Sequence, residues 1–305
     1  MDPNLPSLAD AELETAAIVE RLLRAVREHL DLEVAFVGEV GGGKRTYRFV
    51  DAADGALLVR PGDADPLEAT YCGHVLAGRL PQFLLDPTQD PFAASLPMTS
   101  AGPVGTFLSV PIRFSGGEVY GTFCCFSREV KTSVGPGDLR ALQMMAELAG
   151  EYIERVEIAR RVQRSRRREV EAINADPMAL EMVFQPITDL KTMRMVGVEA
   201  LARFRGGLRP DRVFAEADAL GLGLELELVA LRRGPAALDD LPGHVVLNVN
   251  VSPATMLSAG FRDALREVDG RRVVVEVTEH AAVDDYGALK AVAVSLADSG
   301  TQLAI

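Results

Sequence analysis

Two carboxylates and one amide stand within or directly after short valine-rich runs in the second half of the sequence. They are Glu199, Asn250 and Glu276. Runs this short and this rich in β-branched residues are typical of buried parallel strands. Helical patterns separate the three runs, so this part of the chain alternates strand and helix. Helices are predicted over residues 210–234 and 253–268, although residues 222–228 also alternate like a strand.

Side chains at the carboxyl ends of successive strands converge on one face of a (β/α) barrel. In such a fold Glu199, Asn250 and Glu276 would point into one pocket. Carboxylate and amide oxygens are hard ligands that suit Mg²⁺ or Mn²⁺. The sequence therefore predicts a divalent-metal site, although any one of these residues alone is an ordinary polar side chain at the end of a strand.

Four ordered motifs carry a resemblance to the EAL family of cyclic di-GMP phosphodiesterases. They are Phe-Gln-Pro-Ile at 184–187, Glu-Ala-Leu-Ala-Arg-Phe at 199–204, Leu-Asn-Val-Asn-Val-Ser-Pro at 247–253 and Val-Glu-Val-Thr-Glu at 275–279. The resemblance implies the first part of a TIM-type (β/α) barrel over residues 176–305. It also implies metal-dependent hydrolysis of cyclic di-GMP to the linear dinucleotide.

The same resemblance implies roles for individual residues. Glu199 is the catalytic acidic residue of the family's name motif and, with Asn250 and Glu276, a metal ligand. Arg203 matches a phosphate-binding position, with a surface ion pair as the alternative, and its planar fork suits phosphate oxygens. Gln185 either touches the ligand or braces the first strand. Beyond these, Glu279 is expected either to support the metal ligands or to have a structural role, and His280 departs from the small hydroxyl residue usual in the family.

Another motif of the EAL family is absent from this sequence. The family's fifth strand typically ends in an Asp-Asp-Phe-Gly motif that supplies further metal ligands, and the sequence ends at Ile305, before that motif would begin. We therefore interpret residues 176–305 as a truncated, incomplete EAL barrel and expect these 305 residues to be inactive in hydrolysis. Two alternatives stay open. One is a binding module in which the GAF domain is the working part and a degenerate EAL remnant binds nucleotide or a partner without hydrolysis, and the other is a sequence boundary within a longer active protein.

The first half of the sequence resembles a GAF domain, a small-molecule sensor with a central antiparallel sheet. The predicted order is a helix, short strands that include one over residues 56–60, a short helix over 66–76, a Pro- and Gly-rich loop, a hairpin and a long helix. The resemblance rests on residues 71–81 (Tyr-Cys-Gly-His-Val-Leu-Ala-Gly-Arg-Leu-Pro) and on the hairpin segments 108–112 and 120–126. It implies an α+β domain over residues 1–158 whose ligand is unknown. Cys72 and His74 suggest a haem or a bilin, but a core thiol and a loop histidine are the simpler interpretation.

Composition limits the possible partners. The net charge of −12 argues against nucleic-acid binding, which needs a basic face. The three cysteines have no metal spacing and suit a reducing cytoplasm. No apolar stretch approaches the roughly 18 residues of a membrane span, so a cytoplasmic protein is expected.

Residues 160–168 form the one strongly basic tract. The segment 159–175 that contains them is predicted to be a signalling helix or linker between the two domains, with a nucleic-acid-binding arm as the alternative. Apolar residues at helical spacing precede this tract. Helices of this kind often pair with a second copy. We expect a homodimer through the helices at 8–30 and 139–168.

Overall fold

The computed structural model describes residues 7–56, 59–102, 104–239, 241–266, 272–278 and 285–304. The chain divides into two compact units, Met1–Arg161 and Val162–Ile305. The predicted domain boundaries at residues 158 and 175 stay predictions.

The first unit is built of helices and one six-stranded sheet. Its strands are Val34–Gly41 (β1), Lys44–Ala52 (β2), Ala64–Pro66 (β3), Phe83–Leu84 (β4), Thr106–Arg113 (β5) and Val119–Ser127 (β6), and its helices are Leu8–His29 (α1), Tyr71–Leu76 (α2), Pro91–Ala94 (α3), Pro97–Ala101 (α4) and the first part of Leu139–Ala175 (α5).

The sheet is antiparallel, with the strand order β3-β2-β1-β6-β5-β4. Strand β6 lies in its centre, between β1 and β5. Successive side chains on β6 point to opposite faces, so Cys124 and Cys125 lie on opposite sides of the sheet. Both thiols are nevertheless fully buried, because side chains from outside the sheet cover both of its faces.

Helix α1 begins at a side-chain cap. Ser7 and Asp10 form a capping box, in which the Ser7 side chain accepts a hydrogen bond from the Asp10 backbone N–H. Residues Val19, Leu23 and Val26 are buried at helical spacing and face the sheet. Burial of this one stripe holds α1 on the domain.

Two predictions for the first unit need correction. The strand predicted over residues 56–60 is wrong for its described residues 56, 59 and 60, because these residues are not part of any strand. The third strand of the sheet is Ala64–Pro66. The helix predicted over 66–76 is a short 3₁₀ turn followed by α2. Thr70 has an extended backbone at the break, and its side chain caps α2.

The second unit alternates strands and helices after the end of α5. Its strands are Leu180–Asp189 (β7), Arg194–Phe204 (β8), Val246–Val251 (β9), Val273–Val277 (β10) and Gln302–Ala304 (β11), and its helices are Pro210–Ala219 (α6), Gly223–Arg233 (α7), Pro253–Leu257 (α8), Ala259–Leu265 (α9) and Tyr286–Asp298 (α10).

These strands form one sheet with the order β11-β10-β9-β8-β7. Strands β8 to β11 are parallel, whereas β7 and β8 form an antiparallel pair. The first strand pair thus departs from the all-parallel pattern of a (β/α) barrel. Within the described residues the sheet does not close on itself, because β7 and β11 are both edge strands.

Two predicted helices of the second unit are each divided into two. The segment 210–234 forms α6 and α7, since the backbone turns at residues 220–222 and Gly221 has a positive φ of 71°. The described part of the segment predicted over 253–268, residues 253–266, forms α8 and α9, since Ser258 is extended between them and caps the second one. The alternation at 222–228 resembles a strand, but the structure confirms the helix that was predicted there.

We predict that Gly121→Ala destabilises the first unit by about 1–3 kcal/mol. A Cβ atom on Gly121 would overlap the carbonyl oxygen of Gly38, which sits at a register shift in the neighbouring strand β1. Scanning calorimetry measures the change in melting temperature. Gly116→Ala is the matched control, because a Cβ atom there meets no atom within 4 Å. Equal melting of the two variants would contradict the close approach of β1 and β6.

Candidate functional site

Strand β8 places Glu199 on the face of the sheet that its helices do not cover. The neighbouring residues Val198 and Ala200 are buried among the residues of α7, α8 and α9. Because side chains alternate along a strand, Glu199 points the other way, and it is partly exposed. The same alternation recurs on the next two strands.

Strands β9 and β10 repeat this arrangement in register. Asn250 lies directly opposite Glu276 in the parallel β9–β10 pair. The neighbouring residues Val249, Val275 and Val277 are buried on the helix side. Paired residues of adjacent parallel strands point to the same face. Because the backbones of two adjacent strands are about 4.8 Å apart, the sheet places the Asn250 amide beside the Glu276 carboxylate.

A hydrogen bond joins the first two predicted ligands. The Nδ2 atom of Asn250 donates to Oε1 of Glu199 over 2.9 Å. The Oδ1 atom of Asn250 is therefore the atom of this amide that can bind a cation. Together with the carboxylates of Glu199 and Glu276 it gives a set of hard oxygen donors, which fits Mg²⁺ or Mn²⁺.

Gln185 and Arg203 lie on the same face of the sheet. Gln185 is the register partner of Glu199 in the antiparallel β7–β8 pair, and Arg203 lies four residues beyond Glu199 on β8. Both are exposed. The guanidinium of Arg203 donates to the Ala202 carbonyl oxygen over 2.8 Å. In the described part of the chain its side chain makes no ion pair.

A small cavity of about 160 Å³ lies beside these residues. Arg203 and Asn250 line it, with Leu201, Phe214 and Leu231 among its apolar walls. Polar groups therefore border an apolar recess at the ends of β8 and β9.

Sequence reasoning missed Glu227, which fixes the end of strand β9. Its carboxylate accepts a hydrogen bond from the backbone N–H of Ser252 over 2.9 Å. Ser252 in turn caps α8 through its side chain. In the sequence, a glutamate on the buried side of a helix was the only signal for this role of Glu227. The charge of Glu227 also affects Asp218, whose pKa is raised by burial and raised further by this charge.

Several other predicted residues lie away from this sheet or outside the description. Glu279 and His280 lie outside the described residues. Cys72 and His74 belong to the first unit and are buried there. The His74 ring packs edge-on against Phe92, with ring centroids 4.9 Å apart, and neither ring nitrogen has a hydrogen-bond partner among the described residues.

Two further features of the described residues bear on ligands and location. No three His, Cys, Asp or Glu side chains of that part of the chain are grouped closely enough to hold a metal ion. The candidate metal site, with the carboxylates of Glu199 and Glu276, therefore depends on the Asn250 amide oxygen as its third donor.

None of the described helices has both the length and the apolar content that a membrane crossing requires.

Comparison with known families identifies both units. A model of the EAL domain matches residues 146–305, which is more than half of the chain. The chain belongs to the EAL domain family. A GAF domain precedes it, since a GAF model matches residues 12–154. The first unit is therefore an α+β GAF-like domain, and the second has the α/β fold of EAL domains.

Curated relatives match part of this chain. Protein Rv1354c of Mycobacterium tuberculosis H37Rv is 32% identical over 142 residues, which are 42% of this chain and 23% of that protein. A protein of Mycobacterium bovis gives the same values. Protein y4lL of Sinorhizobium fredii is 30% identical over 35% of this chain and 14% of its own length. The chain thus spans less than a quarter of the length of the curated relatives it matches.

Solved structures resemble each unit separately. The phosphodiesterase PaMucR in complex with c-di-GMP is 23% identical over 44% of this chain and 60% of its own, with a TM-score of 0.39. BlrP1 of Klebsiella pneumoniae with manganese and c-di-GMP is 25% identical over 42% and 35%, with a TM-score of 0.37. A GAF domain region from Geobacter sulfurreducens is 24% identical over 48% and 97%, with a TM-score of 0.39.

We predict that Glu227→Ala loosens the segment after strand β9 by about 1–3 kcal/mol, since the partly buried N–H of Ser252 then loses its acceptor. Hydrogen–deuterium exchange of residues 250–257 measures the effect. Glu225→Ala, an exposed position on the same helix, serves as the control and is expected to leave this exchange unchanged. Equal protection in the two variants would show that Glu227 does not hold the strand end.

Proposed function

We propose that the second unit binds cyclic di-GMP together with a divalent metal, as the substrate site of a cyclic di-GMP phosphodiesterase. One observation carries the proposal. Three residues that match the family's metal ligands and two that match its ligand-contacting positions lie on one uncovered face of one sheet. They are Glu199, Asn250, Glu276, Gln185 and Arg203.

The metal would be held by Glu199, Glu276 and the Asn250 amide oxygen. A bound divalent metal lowers the pKa of a coordinated water and stabilises charge on a phosphodiester. The residues of this chain orient the site: the Asn250 hydrogen bond fixes the Glu199 carboxylate, and Glu227 fixes the end of the strand that carries Asn250.

Arg203 is proposed to bind a phosphate of the dinucleotide. Its side chain is exposed and contacts only the carbonyl oxygen of Ala202 among the described residues, so its remaining N–H groups can face a ligand. Phosphate is strongly bound by the guanidinium fork. Gln185 stands opposite Glu199 on the neighbouring strand and would contact the same ligand.

Regulation is assigned to the GAF domain. The EAL domain would be active or inactive according to the small molecule or chemical signal that the first unit detects. Pairing of two copies through α1 and α5 is part of this proposal. Exposed apolar residues on α5, such as Met144 and Leu148, favour such pairing.

We predict that Arg203→Ala weakens the binding of cyclic di-GMP about tenfold to a hundredfold, since one charge-assisted contact contributes about 1.5–3 kcal/mol. Titration calorimetry in the presence of Mn²⁺ measures the affinity. Arg205→Ala removes an equally exposed arginine from the segment directly after β8 and is the matched control. If both variants bind like the original chain, Arg203 does not contact the ligand.

We predict that these 305 residues bind cyclic di-GMP without hydrolysing it. The family's aspartate pair is not among the ligands that they supply. Chromatography after incubation with Mg²⁺ or Mn²⁺ detects the linear dinucleotide, and a longer chain that includes the aspartate motif is the positive control. Turnover by the 305-residue chain that Glu199→Gln abolishes would show that the residues present suffice. Absence of both binding and turnover in the longer chain would refute the proposed function.

A further inference from the structure

The GAF domain places two of its three cysteines against each other. Cys72 lies on α2, and Cys124 lies on β6 at the centre of the sheet. Their Sγ atoms are 3.1 Å apart, and both side chains are fully buried. A disulfide bond requires about 2.05 Å between the sulfur atoms, so an approach of about 1 Å separates this contact from a covalent bond.

A buried arginine lies at the same pair of thiols. The Arg45 side chain is 2% exposed, and its Nη1 atom lies 3.2 Å from the Cys72 sulfur. The other end of the guanidinium binds Asp65 and Tyr47. A cation held against a thiol in the protein interior stabilises the thiolate, which is the nucleophilic form of cysteine.

The surroundings shift the pKa values of the two thiols in opposite directions. Burial alone would raise the pKa of Cys72, but the hydrogen bond from Cys124 and the charge of Arg45 lower that pKa below its ordinary value. Burial and the neighbouring Cys72 raise the pKa of Cys124. Cys124 also contacts the hydroxyl groups of Ser109 and Thr122, each at 3.2 Å. One sulfur is thus favoured as the thiolate, and the other is favoured as its protonated partner.

The third cysteine provides an internal contrast. Cys125 points to the opposite face of the sheet and is buried in the core formed with α1 and α5. Burial raises its pKa, and no hydrogen bond to its sulfur occurs among the described residues. The sulfur atoms of Cys72 and Cys124 thus have hydrogen-bonding neighbours, whereas the equally buried sulfur of Cys125 has none in the described part of the chain. Burial of a cysteine alone therefore does not explain these contacts.

We propose that Cys72 and Cys124 form a peroxide-sensitive dithiol site in the GAF domain. The Cys72 thiolate attacks one oxygen of hydrogen peroxide. The O–O bond breaks, Cys72 becomes a sulfenic acid, and the leaving hydroxide takes a proton to give water. The Cys124 sulfur then attacks the Cys72 sulfur. The S–O bond breaks, and the leaving hydroxide takes the Cys124 proton to give a second water.

Two thiols are oxidised to one disulfide in this sequence, and one peroxide is reduced to two waters. The burial of both sulfurs selects a small oxidant. Hydrogen peroxide can enter through local opening of the six-residue helix α2, whereas bulky thiol reagents are excluded while the domain is folded. The proposal does not rest on the proposed function of the EAL domain.

The test is peptide mapping of the folded 305-residue chain after treatment with hydrogen peroxide. Remaining thiols are alkylated in denaturant, and the digest is analysed by mass spectrometry without reduction. We expect one cross-linked peptide pair that joins Cys72 to Cys124, with Cys125 alkylated. Reduction with dithiothreitol should restore both thiols.

Matched variants decide the assignment. Cys125→Ser should form the same cross-link at the same rate, while Cys72→Ser and Cys124→Ser should form none. Arg45→Met should slow its formation about tenfold. A wild-type chain that forms no cross-link, or one that joins Cys124 to Cys125, would overturn the proposal. An unchanged rate in Arg45→Met would overturn the part assigned to the arginine.

Discussion

Apolar side chains at every second position of β8, β9 and β10 pack against helices, and this burial determines what the opposite face presents. A slip of one residue in the register would place Glu199, Asn250 and Glu276 in the apolar core, where an unpaired carboxylate is very costly. The hydrophobic effect therefore positions the candidate site, although none of its residues is apolar. The same parallel register sets Asn250 beside Glu276, and the Asn250–Glu199 hydrogen bond extends the group across a third strand.

The GAF domain shows the opposite relation between polarity and burial. One face of its sheet packs on α1 and α5 through apolar residues, whereas the other face encloses Arg45, Cys72 and Cys124. A buried guanidinium requires nearby acceptors, and Asp65, Tyr47 and the Cys72 sulfur provide them. Such a cluster costs stability relative to an apolar core. Its presence in the GAF domain is therefore consistent with the chemical role proposed for the two thiols.

The sequence indicated both fold classes and the common face of Glu199, Asn250 and Glu276, because alternation and motif order depend on local pattern. It was insufficient where a single backbone position decides the outcome. Thr70, Gly221 and Ser258 each interrupt a segment with helical periodicity. It also did not reveal the Cys72–Cys124 contact or the role of Glu227, since these pairs lie 52 and 25 residues apart in the chain and meet only through tertiary packing.

The most direct test of the central claim is a crystal structure of the chain grown with Mn²⁺ and measured at the manganese absorption edge. We expect an anomalous peak within about 2.0–2.6 Å of oxygen atoms of Glu199, Asn250 and Glu276. A well-ordered sheet with no peak at these residues, or a peak held by other side chains of the second unit, would contradict the claim that this face of the sheet is a metal site.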